Sequence, residues 1–397
     1  MLDRRSLLKQ SALLSLSPLV PGFLARTATA AAPERDGRIL VVIQLDGGND
    51  GINTVVPVGD ELYGKFRREL RIPREQVRNL GQDGGIEVGL HPSLRGAAEL
   101  FEAGRLAVVQ GVGYPNPDRS HFESMAIWQT AKLGADGVGN LGWLGRALDA
   151  APVAGGGPAA VHVGTESMPR AITTRRAVTT SFADASDLAL ALAHPPAAPA
   201  GGDDLAAFVG RTVTNAYATA AELAATSAPG RDAAARYPDT ALARRLDLVA
   251  RSIRAGFPSR VYYAIQPGYD THAVQLPAHA RLLAEFSGAL KAFLDDLAAS
   301  KLADRVAVLA FSEFGRRPEE NGSIGTDHGT AGPVFVAGAG VRGGLVGATP
   351  RLGALVDGDL ALQVDFRSVY ATLLDDWLGI PSAGVLGGDF ARLPLFG

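Results

Sequence analysis

Four largely apolar runs, each followed by a polar loop, constrain the fold more than any other feature of the chain. They are Ile39–Leu45, Leu106–Val112, Arg260–Gln266 and Arg305–Phe311. Runs of this length, rich in β-branched residues, are typical of strands that are covered on both faces, as in a parallel sheet. Amphipathic helical spacing at Gln275–Ala299 separates the last two runs, so strands alternate with helices. We therefore predict an α/β fold: a three-layer α/β/α sandwich with a largely parallel central sheet.

The remaining periodic segments extend this architecture. Helices are predicted at Ser120–Lys132, Asp203–Ala225, Asp239–Ala255 and Ser368–Leu378, and shorter strands at Ala159–Gly164 and Pro333–Ala337. Alanine-rich helical segments between about 151 and 256 indicate a mostly helical insertion, bounded by loops rather than by a domain linker. Residues 36–397 are therefore predicted to form one large domain.

Residues 1–30 predict an export signal. Arg4 and Arg5 precede an uncharged stretch, and Ala28-Thr29-Ala30 places small residues at the spacing that a signal peptidase accepts. The paired arginines followed by Ser-Leu-Leu-Lys resemble a twin-arginine signal, although an amphipathic first helix is the alternative. We expect the twin-arginine translocase to be a partner during export and the mature chain to be periplasmic or secreted. The uncharged stretch is too short to predict a stable membrane span.

Charge and cysteine content exclude several functional classes. After residue 30 the chain has 34 basic and 40 acidic residues, so its charge gives no support for nucleic-acid binding. The absence of cysteine excludes disulfides, thiolate zinc sites, iron–sulfur clusters and a cysteine nucleophile. A GxGxxG match at 338–343 is followed by no helical pattern, so it predicts a glycine turn rather than a dinucleotide site.

Acids and histidines concentrate directly after the predicted strands, where the loops of a parallel sheet meet. The residues concerned are Asp46, Asp118–His121, Asp270, His272, Glu313, Asp327 and His328. Carboxylate and imidazole suit divalent ions such as Zn, Mn, Mg or Ca without thiolates, so the sequence predicts a metal site. Taken singly, Asp46 is also explained as a turn cap and Ser120 as a helix N-cap. His162 and His279 are interpreted as core histidines, although His279 and His91 could approach the site.

Five segments resemble the DUF1501 family of exported bacterial proteins, within the alkaline phosphatase and sulfatase superfamily. They are LDGGNDGINTVVP (45–57), GVGYPNPDRSHFESMAIWQT (111–130), GYDTHA (268–273), FSEFGRRPEENGSIGTDHGTAGPVFVAG (311–338) and DFRSVYATLLDDWLG (365–379). The resemblance implies an alkaline-phosphatase-like fold, two metal ions close together and a hydroxyl nucleophile at a helix N-terminus. The resemblance further implies that Ser120 is the nucleophile and that Asp46, Asp270 and His272 are metal ligands.

The resemblance allows two registers for the later ligands. In one, Asp327 and His328 of TDHG form the superfamily's Asp-His ligand pair. In the other, FSEFG takes that place because it directly follows a strand, and His328 is the later, isolated ligand. The second register explains the order of strand, acid, loop, histidine and strand better, but it puts Glu313 where an aspartate is expected and Phe314 where a histidine is expected. Both registers keep His328 at the metal.

The resemblance therefore implies an exported metal-dependent hydrolase of phosphate or sulfate esters. Ser120 would attack an anionic small-molecule or glycan ester, Arg119 or Arg316 would clamp the anionic group, and His121 would be a general acid or a ligand. The absence of a C/S-x-P-x-R motif disfavours an ordinary sulfatase.

Two alternatives stay open at this point. One is a non-catalytic protein on a degenerate hydrolase scaffold, which binds an anion, a glycan or a partner. The other is a metal-free serine hydrolase that uses Ser120 and His121.

Overall fold

The computed structural model describes residues 37–133, 141–151, 158–183 and 236–397. The predicted export signal at residues 1–30 and the predicted helix at Asp203–Ala225 lie outside the described residues. Both stay predictions. Every candidate site residue lies within the described ranges.

The described strands fall into one large sheet and two small ones. In chain order they are β1 (Ile39–Asp46), β2 (Val55–Val56), β3 (Arg78–Asp83), β4 (Ile86–Leu90), β5 (Leu106–Gly113), β6 (Ala160–Val163), β7 (Thr179–Phe182), β8 (Val261–Pro267), β9 (Val306–Phe311), β10 (Arg316–Glu320), β11 (Thr326–His328), β12 (Gly332–Gly338), β13 (Gly344–Val346) and β14 (Val364–Asp365). The small sheets are β2-β4-β3 and the hairpin of β10 and β11.

The large sheet has the order β13-β5-β12-β9-β1-β8-β6-β7, with β14 also paired to β5. Strand β12 runs antiparallel to both of its neighbours. The other pairs of this sheet are parallel, including those of β1 with β8 and with β9. The prediction of a largely parallel central sheet is confirmed.

Helices cover both faces of this sheet. They are α1 (Gly51–Thr54), α2 (Tyr63–Phe66), α3 (Arg95–Glu102), α4 (His121–Thr130), α5 (Trp143–Ala150), α6 (Ala241–Arg254), α7 (Gln275–Ala299), α8 (Phe366–Thr372) and α9 (Ser382–Leu386), with a π-helical segment at Leu373–Leu378. Helices α3, α6 and α7 pack into one core, and α4, α5, α8 and α9 into another. This is the predicted three-layer sandwich.

The side chains of β1 show why the apolar runs are uninterrupted. Ile39, Val41 and Ile43 belong to one core, whereas Leu40 and Val42 belong to the other. Successive side chains of a strand point to opposite faces, and here both faces are covered by helices. Burial on both sides therefore requires an apolar residue at nearly every position.

The region between 151 and 256 contributes more than helices. Its described residues include helix α6, which lies within the helix predicted at Asp239–Ala255. They also include β6 and β7, which extend the central sheet beyond β8. Part of this region therefore belongs to the sandwich itself.

Two further predictions concern the glycine-rich stretch after β12 and the possibility of a membrane span. The GxGxxG stretch at 338–343 forms a turn that leads into β13, and no helix follows it. Among the described helices, none combines the length and the apolar character that crossing a membrane requires.

Candidate metal centre

The candidate site lies where the loops after β1, β8 and β9 meet. Gly47 follows β1 with a φ of +119°, and a Cβ at this position would lie 2.5 Å from the backbone nitrogen of Asp270. The backbone N–H of Tyr269 donates to the carbonyl of Asp46 at 3.0 Å. Glycine therefore permits the two loops to approach closely, because any other residue would clash with the loop after β8.

The hairpin of β10 and β11 brings two further residues to this place. Its register pairs Arg316 with His328. A Cβ at Gly325, just before β11, would lie 2.2 Å from the backbone carbon and oxygen of His272. The hairpin therefore packs directly on the loop that carries Asp270 and His272.

Three imidazoles converge on one carboxylate oxygen. The Nε2 atoms of His272, His328 and His121 lie 2.9, 3.2 and 3.5 Å from Asp270 Oδ1. The Nε2 atoms of His272 and His328 are 2.9 Å apart. The ligand atoms of His121, Asp270 and His328 all lie within 4.8 Å of one another. Four zinc ligands at about 2.0–2.1 Å would be separated by about 3.3 Å, so the donors of His121, Asp270 and His328 are close enough to hold one metal ion, with His272 Nε2 beside them.

The opposite ring nitrogen of each histidine faces an oxygen atom. His121 Nδ1 lies 2.7 Å from Glu313 Oε1, and His328 Nδ1 lies 2.8 Å from the backbone oxygen of Arg119. His272 Nδ1 lies 3.5 Å from Asp327 Oδ1. Because these oxygens accept hydrogen bonds, they favour a proton on Nδ1 when an ion is bound, which leaves Nε2 to face the ion. This arrangement is typical of metal-binding histidines. Without an ion, His328 Nε2 can instead donate to Asp270 Oδ1.

One of these Nε2 atoms has no hydrogen-bond partner. His121 Nε2 is buried from solvent and makes no hydrogen bond to any described residue. A buried polar atom without a partner is costly, and such atoms in native proteins often mark a bound ion or water.

Arg316 and Asp270 form the fixed charges of the site. The Arg316 side chain is fully buried, and its Nη2 donates to Asp270 Oδ1 at 2.6 Å and to the carbonyl of Gly47 at 2.5 Å. Burial is the largest single influence on Asp270 and raises its pKa. Hydrogen bonds from Arg316 and His328 outweigh that influence and lower the pKa to about 2. Asp270 is therefore an ionised carboxylate at neutral pH.

Asp46 and Glu313 lie together on another side of the site. Glu313 is 1% exposed, and Asp46 Oδ1 accepts a hydrogen bond from Gln44 at 2.8 Å. Burial and the negative charge of Glu313 raise the pKa of Asp46. The hydrogen bond to Glu313 raises the pKa of His121, because the carboxylate stabilises the imidazolium form.

Ser120 occupies the N-cap position of α4, directly before His121. Its side chain makes no capping hydrogen bond, and its backbone N–H donates to Asp118 Oδ1 at 2.6 Å. The hydroxyl is therefore not used as the cap that a serine at this position often provides. The guanidinium of neighbouring Arg119 makes an ion pair with the buried Asp359 at 2.5 Å.

The predicted site residues therefore separate into groups. His121, Asp270, His272 and His328 converge with their ligand atoms. Glu313 and Asp327 contact the far nitrogens of two of those histidines, and Asp46 contacts Gln44. Sequence reasoning missed the backbone oxygen of Arg119 and the role of Arg316 as a buried cation. A backbone oxygen leaves no signal in the sequence, and the polar neighbours of Arg316 along the chain gave no indication of its burial.

Two other histidines lie in the core rather than at the site. The rings of His91 and His279 pack edge to face, with centroids 5.8 Å apart, and both are buried. His162 is fully buried in β6, as predicted for a core histidine.

Comparison with known proteins gives one family match. The family model described as "Protein of unknown function (DUF1501)" matches residues 107–382. The chain matches no curated protein.

Several solved structures are similar to this chain at low identity. The C-terminal periplasmic domain of EcEptC from Escherichia coli, in complex with Zn, is 8% identical, with 77% of this chain and 75% of that chain covered and a TM-score of 0.37. The PsFucS1 sulfatase from Pseudoalteromonas sp. is 11% identical, with 92% and 71% covered and a TM-score of 0.41. A protein in the alkaline phosphatase superfamily from Vibrio parahaemolyticus is 10% identical, with 91% and 71% covered and a TM-score of 0.40.

Proposed function

We propose that this chain, which belongs to the DUF1501 family of proteins of unknown function, is a metal-dependent hydrolase of phosphate or sulfate esters. One observation carries the proposal: three imidazole Nε2 atoms converge on Asp270 Oδ1 while an oxygen atom faces each Nδ1. Core histidines without a ligand do not require such convergence. The unpartnered Nε2 of His121 supports the same assignment.

The residues proposed to hold the ion are His121, Asp270, His272 and His328. A divalent cation bound there supplies Lewis acidity and positive charge for an anionic ester. Imidazole and a single carboxylate suit zinc or another first-row transition metal better than calcium, which prefers six to eight oxygen ligands.

Ser120 is the proposed nucleophile. It stands at the N-terminus of the ten-residue helix α4, where the first backbone N–H groups have no partner within the helix. The positive end of the helix dipole favours an anionic group beside Ser120. Ser120 Oγ would form a bond to phosphorus or sulfur while the ester alcohol leaves with the proton that the serine gives up. Water would then cleave the seryl ester, release phosphate or sulfate, and regenerate Ser120.

The first test is the metal content of the purified mature protein, measured by elemental mass spectrometry. We expect bound transition metal in the wild type and its loss in His328→Ala and Asp270→Asn. Asp239→Asn is the matched control, because it removes a carboxylate whose side chain is 95% exposed. Absence of metal in the wild type after reconstitution would refute the proposal.

The second test is turnover. Aryl phosphate, phosphodiester and aryl sulfate substrates distinguish the ester classes, and Ser120→Ala tests the nucleophile at unchanged metal content. Bound metal without turnover of any of them would favour the alternative, a binding protein for an anion or glycan on a hydrolase scaffold. Phe314, at a position where the superfamily resemblance implies a histidine, is the observation that supports this alternative.

We also propose that the chain is exported by the twin-arginine route. The proposal depends on Arg4, Arg5 and the small residues at 28–30. Replacement of both arginines by lysine should retain the unprocessed chain in the cytoplasm. Unchanged export of that variant would refute the twin-arginine assignment.

A further inference from the structure

The superfamily resemblance implies two metal ions, and the residues for the second would be Asp46, Glu313 and the residue at 314. Each of the three can be tested for fit by its own contacts. A ligand position must offer a donor atom, and a stable site needs three or four such atoms close together.

Glu313 has one carboxylate oxygen occupied by two protein donors. Oε1 accepts from the backbone N–H of Gly47 at 3.0 Å and from His121 Nδ1 at 2.7 Å. Oε2 lies 3.3 Å from the N–H of Gly47 and 3.0 Å from Ser312 Oγ, whose single proton has a shorter contact with the carbonyl of Leu45 at 2.7 Å. The side chain is almost fully buried. These contacts fix the carboxylate toward the loop after β1 and toward His121.

Phe314 offers no donor atom and fills the space in which a ligand would stand. It is 3% exposed, and its ring centroid lies 4.9 Å from those of both His121 and His328. A Cβ at Gly48 would lie 2.3 Å from the ring, so the ring packs directly against the glycine backbone. The apolar ring supports the two imidazoles and contributes nothing to an ion.

Asp46 belongs to a separate hydrogen-bonded group. Its Oδ1 accepts from Gln44 Nε2, and Gln44 Oε1 accepts from the hydroxyl of Tyr263 at 2.6 Å and from Gln129 Nε2 at 3.1 Å. Because these two donors fix the orientation of the Gln44 amide, its NH₂ group is directed at Asp46. With no donor from Phe314, one oxygen of Asp46 and one of Glu313 remain, which is fewer than the three or four ligands that an ion needs. Among the described residues, the group of three ligand residues is His121, Asp270 and His328, so the residues of the second ion do not fit that ion.

We infer that the site holds one metal ion, and that Glu313 acts on this ion as a positioning residue through His121. The inference rests on the proposed function for the existence of that ion. The Glu313–His121 contact matches the carboxylate–histidine–metal arrangement, in which the carboxylate sets the tautomer and orientation of the ligand ring. Loss of such a partner lowers metal affinity by about 10–100-fold.

Metal stoichiometry separates this inference from the proposed function. We expect one equivalent of Zn²⁺ per wild-type chain at saturation. Two equivalents, reduced to one in Asp46→Asn, would overturn the inference and leave the proposed function standing. No bound Zn²⁺ would overturn both.

The role of Glu313 is tested by Zn²⁺ affinity in Glu313→Gln, which keeps the shape of the side chain. We expect an affinity loss of about 10–100-fold with the stoichiometry still at one. Asp46→Asn is the matched control, another carboxylate after a buried strand, and should change the affinity less than twofold. Equal effects of the two substitutions would overturn the inference.

A double-mutant cycle distinguishes positioning from a general structural role. In the His121→Ala background, Glu313→Gln should have little further effect on Zn²⁺ affinity, because the ring that it orients is gone. Co²⁺ substitution gives a second readout, since a changed His121 ligand should shift the visible absorption bands. If Glu313→Gln fails to fold, Glu313→Asp serves instead, with a smaller affinity loss expected. Additive effects of the two substitutions would refute the coupling.

Discussion

The stability of the fold should depend on pH through His279, a histidine outside the candidate site. Its Nε2 lies 3.0 Å from Asn49 Oδ1, and its Nδ1 is buried and has no partner among the described residues. The neutral ring therefore donates from Nε2, and a proton added at Nδ1 would find no acceptor. Burial is the main cause that lowers the pKa of His279 from 6.5 to about 4, against the opposing charge of Asp50.

The direction of the effect follows from this lowered pKa. Between pH 6.5 and about 4 the unfolded chain binds a proton that the native chain does not, so the free energy of unfolding decreases as the pH falls. The contribution of His279 is fully present above pH 6.5 and is lost by about pH 4. At about 1.4 kcal/mol per pH unit, it amounts to roughly 3 kcal/mol.

Chemical denaturation at a series of pH values from 7.5 to 4 measures this effect. The samples contain a chelator, so that metal release does not add to the pH dependence. We expect His279→Gln to lower stability at pH 7.5 but to lose stability less steeply than the wild type as the pH falls. Arg281→Gln is the control, because Arg281 is an exposed residue of the same helix and its guanidinium stays protonated throughout this pH range. Parallel curves for His279→Gln and the wild type would refute the reasoning.

Three further substitutions test other parts of the structure. Arg67→Met leaves the fully buried carboxylate of Asp50 without its bidentate partner. It should lower the free energy of unfolding in denaturant by about 3–5 kcal/mol, with partial recovery when Asp50→Asn is added. A loss below about 1 kcal/mol would contradict this prediction. Gly325→Ala should displace His272, since its Cβ would meet that residue's backbone at 2.2 Å, and so weaken Zn²⁺ binding in calorimetry; unchanged affinity would show that the loop adapts. Val274→Asn should raise the free energy of unfolding by up to about 1 kcal/mol, and with it the melting temperature, because the exposed valine has a φ of 44° that asparagine tolerates better. An unchanged or lower melting temperature would argue against strain at this position.

The sheet could be predicted where burial on both faces leaves a continuous apolar run. Strands β1, β5, β8 and β9 all have this pattern, and the structure confirms them. The resemblance to the DUF1501 family is confirmed as well. Strand β7 was not predicted, because it lies at the edge of the sheet and its sequence TTSF is mostly polar. The antiparallel direction of β12 depends on its two neighbours and has no local signal.

The hairpin that carries His328 shows a further limit of sequence reasoning. Strand β10 has the sequence RRPEE, which predicts no strand on propensity or alternation. Its first residue, Arg316, is buried because its guanidinium donates to the carbonyls of Gly47, Gly48, Tyr269 and Thr326. Apart from Thr326 in the same hairpin, these acceptors come from distant parts of the chain. The hairpin therefore depends on tertiary contacts that no local pattern reports.

The sequence predicted the candidate site as a set of acids and histidines. Which atoms of these residues face one another could be read only from the structure. A carboxylate that binds an ion and a carboxylate that orients a ligand histidine follow strands in the same way and are equally acidic. They differ in which ring nitrogen they face: Asp270 lies beside the Nε2 atoms, whereas Glu313 and Asp327 lie beside Nδ1 atoms. The position of an acid after a strand therefore does not tell whether it binds an ion or orients a ligand histidine. For this chain the superfamily resemblance implies two ions, and our proposal of a single ion depends on which ring nitrogen each carboxylate faces.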